Sequence, residues 1–211
     1  MADLLFLGIL LVDLFMIGTT RLGACIRASA LQGLLLAALP LVFHHGRPDV
    51  HLAALVAGPL LFKAVAIPKL LLRALETASV RREVEPMVSL HASLVCGAAL
   101  IGFAFWLGEQ LVLPTPPPSE LAVPAAFSTL LLGFLVLVSR TKAITQVIGY
   151  LMLENGVYMF GLGLASAMPL VIELGILLDV WVGVFVMGIA IFHIDRTFDH
   201  IDTDRLIGLK G

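Results

Sequence analysis

The sequence predicts an all-α, polytopic integral membrane protein with about seven transmembrane helices. Of its 211 residues, 60% are apolar and 13% are charged, and the mean hydropathy is +1.05. Soluble chains are about 45–50% apolar and about 25% charged, so lipid is the expected solvent for most of this chain. The apolar runs are continuous and roughly twice the length of the ~10-residue alternating strands of a membrane barrel, which favours helices.

Seven spans of ~20 residues fit the chain, separated by short connections. We place them at Leu4–Thr20, Gly23–Phe43, His51–Leu75, Met87–Leu107, Leu121–Ser139, Ala143–Ser166 and Pro169–His193. The connections HHGRPD (44–49) and LPTPPPSE (113–120) are rich in helix breakers. The long charged loop RALETASVRREVEP (73–86) is expected to form a short interfacial helix.

The basic residues predict the orientation, because Lys and Arg collect on the cytoplasmic side. Ten lie at one side of the predicted spans: Arg21, Arg27, Arg73, Arg81, Arg82, Arg140, Lys142, Arg196, Arg205 and Lys210. Only Arg47 lies at the other side. We therefore expect the amino terminus outside and the carboxyl tail in the cytoplasm of a plasma (inner) membrane protein. The start MADLLFLGILLVD has no basic leader, so the first helix is expected to be retained.

A faint repeat supports a division into three parts. Residues 19–43 align with 138–162, and 57–72 align with 172–187, although apolar helices also align by chance. On this basis we expect a three-helix unit at 1–75 and a second at 121–211 that includes the tail. Residues 76–120 would hold the cytoplasmic loop, a connector helix and the outer proline-rich loop.

Composition and motifs exclude several functions. A net charge of −2 offers no basic field for nucleic acid, and Cys25 and Cys96 form no CxxC motif. Nucleotide-binding, hydrolase and zinc motifs are absent from the sequence, so we expect no catalytic residue, cofactor or metal on this chain. The histidines suggest two alternatives, haem between His91 and His193 and a metal at the outer-loop residues His44, His45 and His51, where solvated surface histidines are the commoner case.

Carboxylates inside the predicted spans are the candidate proton-path residues. Glu154 lies near the middle of the sixth span, on one helix face with Gln146, Tyr150 and Tyr158 and beside Asn155. Asp179 lies about ten residues into the seventh span. An ionisable group in hydrocarbon costs at least ~2.5–3.5 kcal/mol, so each needs a partner, water or a function. A proton relay is one interpretation, and a protonated packing residue is the other.

Lys63 is the corresponding mid-membrane base, between Pro59 and Pro68 in the third span. Asp13, central in the first span, is the expected partner. Two interpretations remain open, a relay site whose charge changes and half of a static ion pair.

The stretches IGYLMLENGVYMFGLGL, LGILLDVWVGVFVMGIAIFHI and HIDTDRLIGLKG resemble the K-type membrane subunit of respiratory complex I over about residues 130–211. With the amino-terminal spans and FKAVAIPKLLLRAL included, the chain resembles the component E family of hydrogenase-4. Asp179 falls on the second carboxylate of the K-type pattern, whereas Glu154 falls one turn after the first, which is Leu151 here.

This resemblance implies a non-catalytic membrane-arm subunit of a group 4 hydrogenase or formate hydrogenlyase-type complex. Its expected partners are antiporter-like membrane subunits, a hydrogenase or formate dehydrogenase peripheral arm, and the lipid bilayer. In that setting Glu154, Asp179 and Lys63, with Tyr150 and Asp13, would contribute to proton or sodium translocation. The alternatives are a subunit of a multi-subunit cation/proton antiporter and a structural adaptor without an ion path.

Overall fold

The computed structural model describes residues 1–44, 50–77, 89–113, 116–140 and 142–163, and the regular secondary structure in these ranges is helical. The elements are α1 (Ala2–Ile17), α2 (Leu22–Phe43), α3 (Val50–Leu61), a π-helical segment (Phe62–Ala66), α4 (Ile67–Thr77), α5 (Leu90–Gln110), α6 (Ala122–Ser139) and α7 (Ala143–Gly163). Because α3, the π segment and α4 follow one another without a break, they form one long helix. The predicted all-α class is confirmed for these ranges.

The helix bounds agree with the first six predicted spans to within three residues, apart from the end of the sixth span, which lies beyond the described residues. The seventh predicted span and the tail lie outside the described residues. Among the residues that are described, four helices are long and apolar enough to cross a membrane: Leu22–Phe43, Leu55–Glu76, Leu90–Gln110 and Ala122–Ser139. The total of seven spans and the orientation stay predictions. Of the predicted interfacial helix, residues 73–77 continue α4 and the remainder is not described.

Helices α6 and α7 pack with their backbones in direct contact, because glycine lines their interface. A Cβ added at Gly149 would lie 2.9 Å from the Leu137 backbone nitrogen, and one at Gly156 would lie 2.7 Å from that of Leu130. Small residues permit this approach in membrane helices, where packing and hydrogen bonds drive association. The α6–α7 pair is therefore a rigid frame for side chains between the helices.

The remaining helices surround this pair. The α1–α2 hairpin packs on it with α1 against α6 and α2 against α7, and the long helix packs along α2. Helix α5 contacts α6 and α1 at the periphery. It exposes large apolar side chains, among them Val95, Phe103 and Trp106, which is the surface expected of a helix that faces lipid or another subunit.

Two apolar clusters fill the interior, one toward each end of the bundle. The basic-end cluster lies at the end of the bundle where Arg21 and Arg140 cap their helices. It includes Met16, Ile26, Ile67, Val136 and Ile148. The opposite cluster includes Phe6, Leu39, Ala126, Tyr158 and Met159. Polar side chains occupy the level between the clusters on five elements, and this level is the candidate functional site.

A buried polar network as the candidate functional site

The centre of the network is an ion pair between the long helix and α7. The Lys63 Nζ lies 2.8 Å from a carboxylate oxygen of Glu154, and both side chains are at most 2% exposed. The Tyr158 ring centroid is 5.3 Å from the same Nζ, a cation–π distance, and the Tyr158 hydroxyl donates a hydrogen bond to the Leu55 carbonyl. A buried ammonium and a buried carboxylate each need such partners, because desolvation of either ion costs several kcal/mol.

The π segment and one glycine bring Lys63 to this position. Lys63 lies within the π-helical turn between Pro59 and Pro68, and π turns inside α-helices are frequent at functional sites. A Cβ added at Gly33 of α2 would lie 2.8 Å from the Lys63 carbonyl carbon. Glycine at position 33 therefore allows the α2 backbone to lie directly against the π turn.

A row of side-chain amides joins the ion pair to α1. The Lys63 Nζ donates to Oδ1 of Asn155 at 2.9 Å, and Nδ2 of Asn155 donates to Oε1 of Gln32 at 2.9 Å. Nε2 of Gln32 donates to a carboxylate oxygen of Asp13 at 2.6 Å, and Thr129 of α6 donates to the other oxygen at 2.7 Å. The row therefore links α7, α2, α1 and α6 at one level.

The cation determines the orientation of both amides. An ammonium group has three donors and no acceptor, so the Asn155 carbonyl oxygen must face Lys63. The Asn155 amino group then faces Gln32, which in turn presents its own amino group to the Asp13 carboxyl. Every hydrogen bond in the row donates in the direction from Lys63 to Asp13.

The arrangement contains two groups with acid–base chemistry. One is the Lys63–Glu154 pair, and the other is the Asp13 carboxyl, whose partners among the described residues are the neutral side chains of Gln32 and Thr129. Side-chain amides orient and polarise their neighbours but do not titrate near neutral pH. The Gln32–Asn155 bridge therefore connects the two acid–base groups electrostatically while keeping them apart.

Three of the five predicted site residues meet in this network: Glu154, Lys63 and Asp13. The direct Asp13–Lys63 pair expected from the sequence is replaced by a Glu154–Lys63 pair, with Asp13 reached through Asn155 and Gln32. The reason is that Lys63 and Glu154 face each other across the contact of the long helix with α7. Asp179 lies outside the described residues.

The predicted polar stripe along α7 divides in the structure. Gln146 is exposed at the start of the helix and donates to the Arg140 carbonyl. Tyr150 is half-buried against the basic-end cluster rather than among the network side chains. Only the part of the stripe that begins at Glu154 and includes Tyr158 takes part in the site.

Gln32 and Thr129 were not predicted as site residues, although Gln32 is a polar residue in the middle of the otherwise apolar α2.

Arg140, counted above as an orientation signal, is buried and donates from Nη2 to the Ile17 carbonyl at 2.9 Å. It therefore ties the end of α6 to the end of α1. His91 of the haem alternative is exposed at the start of α5, and His193 is not described. Within the described ranges no three His, Cys, Asp or Glu side chains converge as a metal site would require.

Comparison with known proteins finds relatives of two kinds. It is 35% identical to the uncharacterized protein Rv0085 of Mycobacterium tuberculosis over 204 residues, which are 96% of this chain and 93% of that protein. The chain belongs to the Rv0085 family. No family model and no solved structure matches it.

A member of the Rv0085 family, this chain is also a homologue of hydrogenase-4 component E. It is 31% identical to the Escherichia coli protein over 114 residues, 54% of this chain and 53% of the component, and the Shigella flexneri protein matches equally. The chain therefore spans about half the length of that relative. The resemblance to hydrogenase-4 component E is confirmed over this region, and the K-type resemblance stays a prediction.

Proposed function

We propose that the chain is a membrane-arm subunit of a complex I-like, energy-converting oxidoreductase of the group 4 hydrogenase or formate hydrogenlyase type. The observation that carries this proposal is the network of buried polar side chains from Glu154 to Thr129. It lies in the middle of the bundle, and the chain is a homologue of hydrogenase-4 component E. In this role the chain performs no redox chemistry. It contributes carboxyl and amine groups to the movement of protons, or of sodium ions, in the same membrane.

The geometry favours transfer along the membrane plane over transfer straight across it. The network extends sideways over five elements, whereas the basic-end cluster and the opposite cluster close it toward the two ends of the described bundle. Because both clusters are apolar, the polar side chains that could serve a moving charge lie at one level between them. We propose that the network forms part of a lateral hydrophilic axis that continues into adjacent antiporter-like subunits.

Within that axis, Lys63 is the group whose movement would couple the two acids. Its ammonium contacts Glu154 and the Asn155 oxygen at the same time, at 2.8 and 2.9 Å. A change of charge or position at Lys63 therefore acts on Glu154 directly and on Asp13 through the amides. Asp179, in the proposed seventh span, would be a further carboxyl on this axis, in a protein with its amino terminus outside and its tail in the cytoplasm.

The partner assignment is tested by purifying the tagged full chain from native membranes and identifying the subunits bound to it by mass spectrometry. Hydrogenase or formate dehydrogenase subunits together with antiporter-like subunits support the proposal. Antiporter subunits alone would instead indicate a redox-independent cation/proton antiporter. Mass spectrometry of the same sample also shows whether a peripheral arm is present.

The ion-path assignment is tested by Glu154→Gln in the assembled complex, with proton uptake into inverted membrane vesicles followed by a pH-sensitive dye. We expect coupled uptake per assembled complex to fall severely, because the pair with Lys63 loses its carboxylate. Glu109→Gln on the exposed end of α5 is the matched control and should leave uptake unchanged. Normal uptake in the Glu154→Gln complex would refute the ion path and indicate a structural adaptor.

A further inference from the structure

A groove lies on the exposed face of the α1–α2 hairpin, separate from the buried network. Its volume is about 450 Å³. Leu11, Val12 and Phe15 of α1 line one side, and Ala24, Arg27 and Leu31 of α2 line the other. Leu11, Phe15 and Leu31 are each roughly half or more exposed, and the small Ala24 leaves the depression between the helices open. On a helix of membrane-spanning length such a surface contacts lipid tails.

Arg27 gives this apolar groove a cationic end. Its Nε donates to the Gly23 carbonyl at 3.1 Å, so the side chain bends one turn back toward the start of α2. That direction is the one in which an arginine inside a span reaches the headgroup level. Among the described residues the structure gives its two terminal nitrogens no acceptor. Arg21, six residues earlier at the N-cap of α2, is a second exposed basic residue.

The dimensions favour a single hydrocarbon chain over a protein helix. The lining residues on α2, from Ala24 to Leu31, extend about 10 Å along the helix at ~1.5 Å per residue. A packed helix is ~10–12 Å wide, which is as wide as this lined stretch is long. An acyl chain is narrow enough to lie between the two helices with its headgroup beside Arg27.

We propose that this groove binds one acyl chain of an anionic phospholipid whose phosphate pairs with the Arg27 guanidinium. Guanidinium binds phosphate oxygens with two parallel hydrogen bonds, and basic pockets between membrane helices select acidic headgroups. The charge of Arg21 favours a lipid with net negative charge over a zwitterionic one. Bound in this way, the lipid would hold α1 and α2 together at their basic end.

The test is native mass spectrometry of the full chain in mild detergent, titrated with dioleoyl phosphatidylglycerol or dioleoyl phosphatidylcholine. We expect the acidic lipid to bind about tenfold more tightly, which corresponds to about 1.4 kcal/mol. Arg27→Gln should remove this preference, and Arg27→Lys should retain part of it. Ala24→Leu, which fills the groove, should weaken binding of both lipids.

Lys69→Gln is the matched control, because Lys69 is an exposed basic residue of α4 outside the groove. It should leave the lipid preference intact. Equal affinity for the two lipids, or equal losses in the Arg27 and Lys69 variants, would overturn the proposal. A photo-crosslinker at Leu31 in native membranes gives an independent answer: attachment to lipid supports the site, and attachment to another polypeptide refutes it.

Discussion

Replacing Lys63 with methionine tests the ion pair most directly. The substitution keeps an unbranched side chain of similar length but removes the charge that lies 2.8 Å from the Glu154 carboxylate. Glu154 is then a buried carboxylate that has lost the Lys63 ammonium, and the Asn155 Oδ1 atom loses the hydrogen bond that Lys63 donates. Breaking a buried pair from one side costs about 3–5 kcal/mol, and we expect the free energy of unfolding to fall by that amount.

A second substitution separates the loss of the pair from the loss of a lysine. In Lys63→Met combined with Glu154→Leu, no charge remains buried at this position, and apolar replacements of a buried pair are often neutral or stabilising. The Asn155 oxygen still lacks its donor, which costs about 1–3 kcal/mol. The double variant should therefore be more stable than Lys63→Met alone.

Reversible unfolding of the purified chain in mixed detergent and dodecyl sulfate micelles measures these differences. Lys69→Met is the control, because it removes the charge of an exposed lysine six residues later and should change stability by less than about 0.5 kcal/mol. A Lys63→Met variant as stable as this control, or a double variant less stable than the single one, would refute the ion-pair reasoning. If the folded double variant still supports ion uptake in the complex, the pair is static rather than part of a relay.

Three further substitutions have defined outcomes in the same unfolding assay. Gly33→Ala should destabilise by about 1–3 kcal/mol, because the new Cβ would lie 2.8 Å from the Lys63 carbonyl carbon, whereas Gly102→Ala, with no atom within 4 Å, should not. Gln32→Leu removes one hydrogen bond from Asn155 and one from Asp13, and each loss should lower the free energy of unfolding by about 1–3 kcal/mol. A variant as stable as the native chain would contradict this expectation. Arg140→Met removes the donor to the end of α1 and should speed hydrogen exchange of the last turn of α1, and unchanged exchange would contradict that role.

The helices themselves were predictable from the sequence, because continuous apolar runs and their polar borders are local features. Glu154, Lys63 and Asp13 could also be identified in this way, since a charge inside a span is conspicuous wherever the helix packs. Their pairing was not predictable, because every face of these helices is apolar enough to meet either lipid or protein. For this reason the sequence alone favours Asp13, and not Glu154, as the partner of Lys63.

Uncharged polar residues gave a weaker signal. Thr129 resembles many membrane threonines, whose hydroxyls bond to the carbonyl of the preceding turn, and nothing local shows that it contacts Asp13 instead. The π turn at Phe62–Ala66 has no sequence signature beyond the flanking Pro59 and Pro68. Its role at the site follows only from the contact with Gly33, which joins residues 30 positions apart.

The hydrogen bonds of the amide row all donate toward Asp13, so the orientation of each amide depends on that of the other. Rotating only one of the two amides would bring two amino groups or two carbonyl oxygens face to face, which leaves buried polar atoms without partners. Gln32 and Asn155 must therefore reverse together or not at all. The pair behaves as a single two-position element, so a proton gained by Asp13 and a displacement of Lys63 act on the same equilibrium from opposite ends.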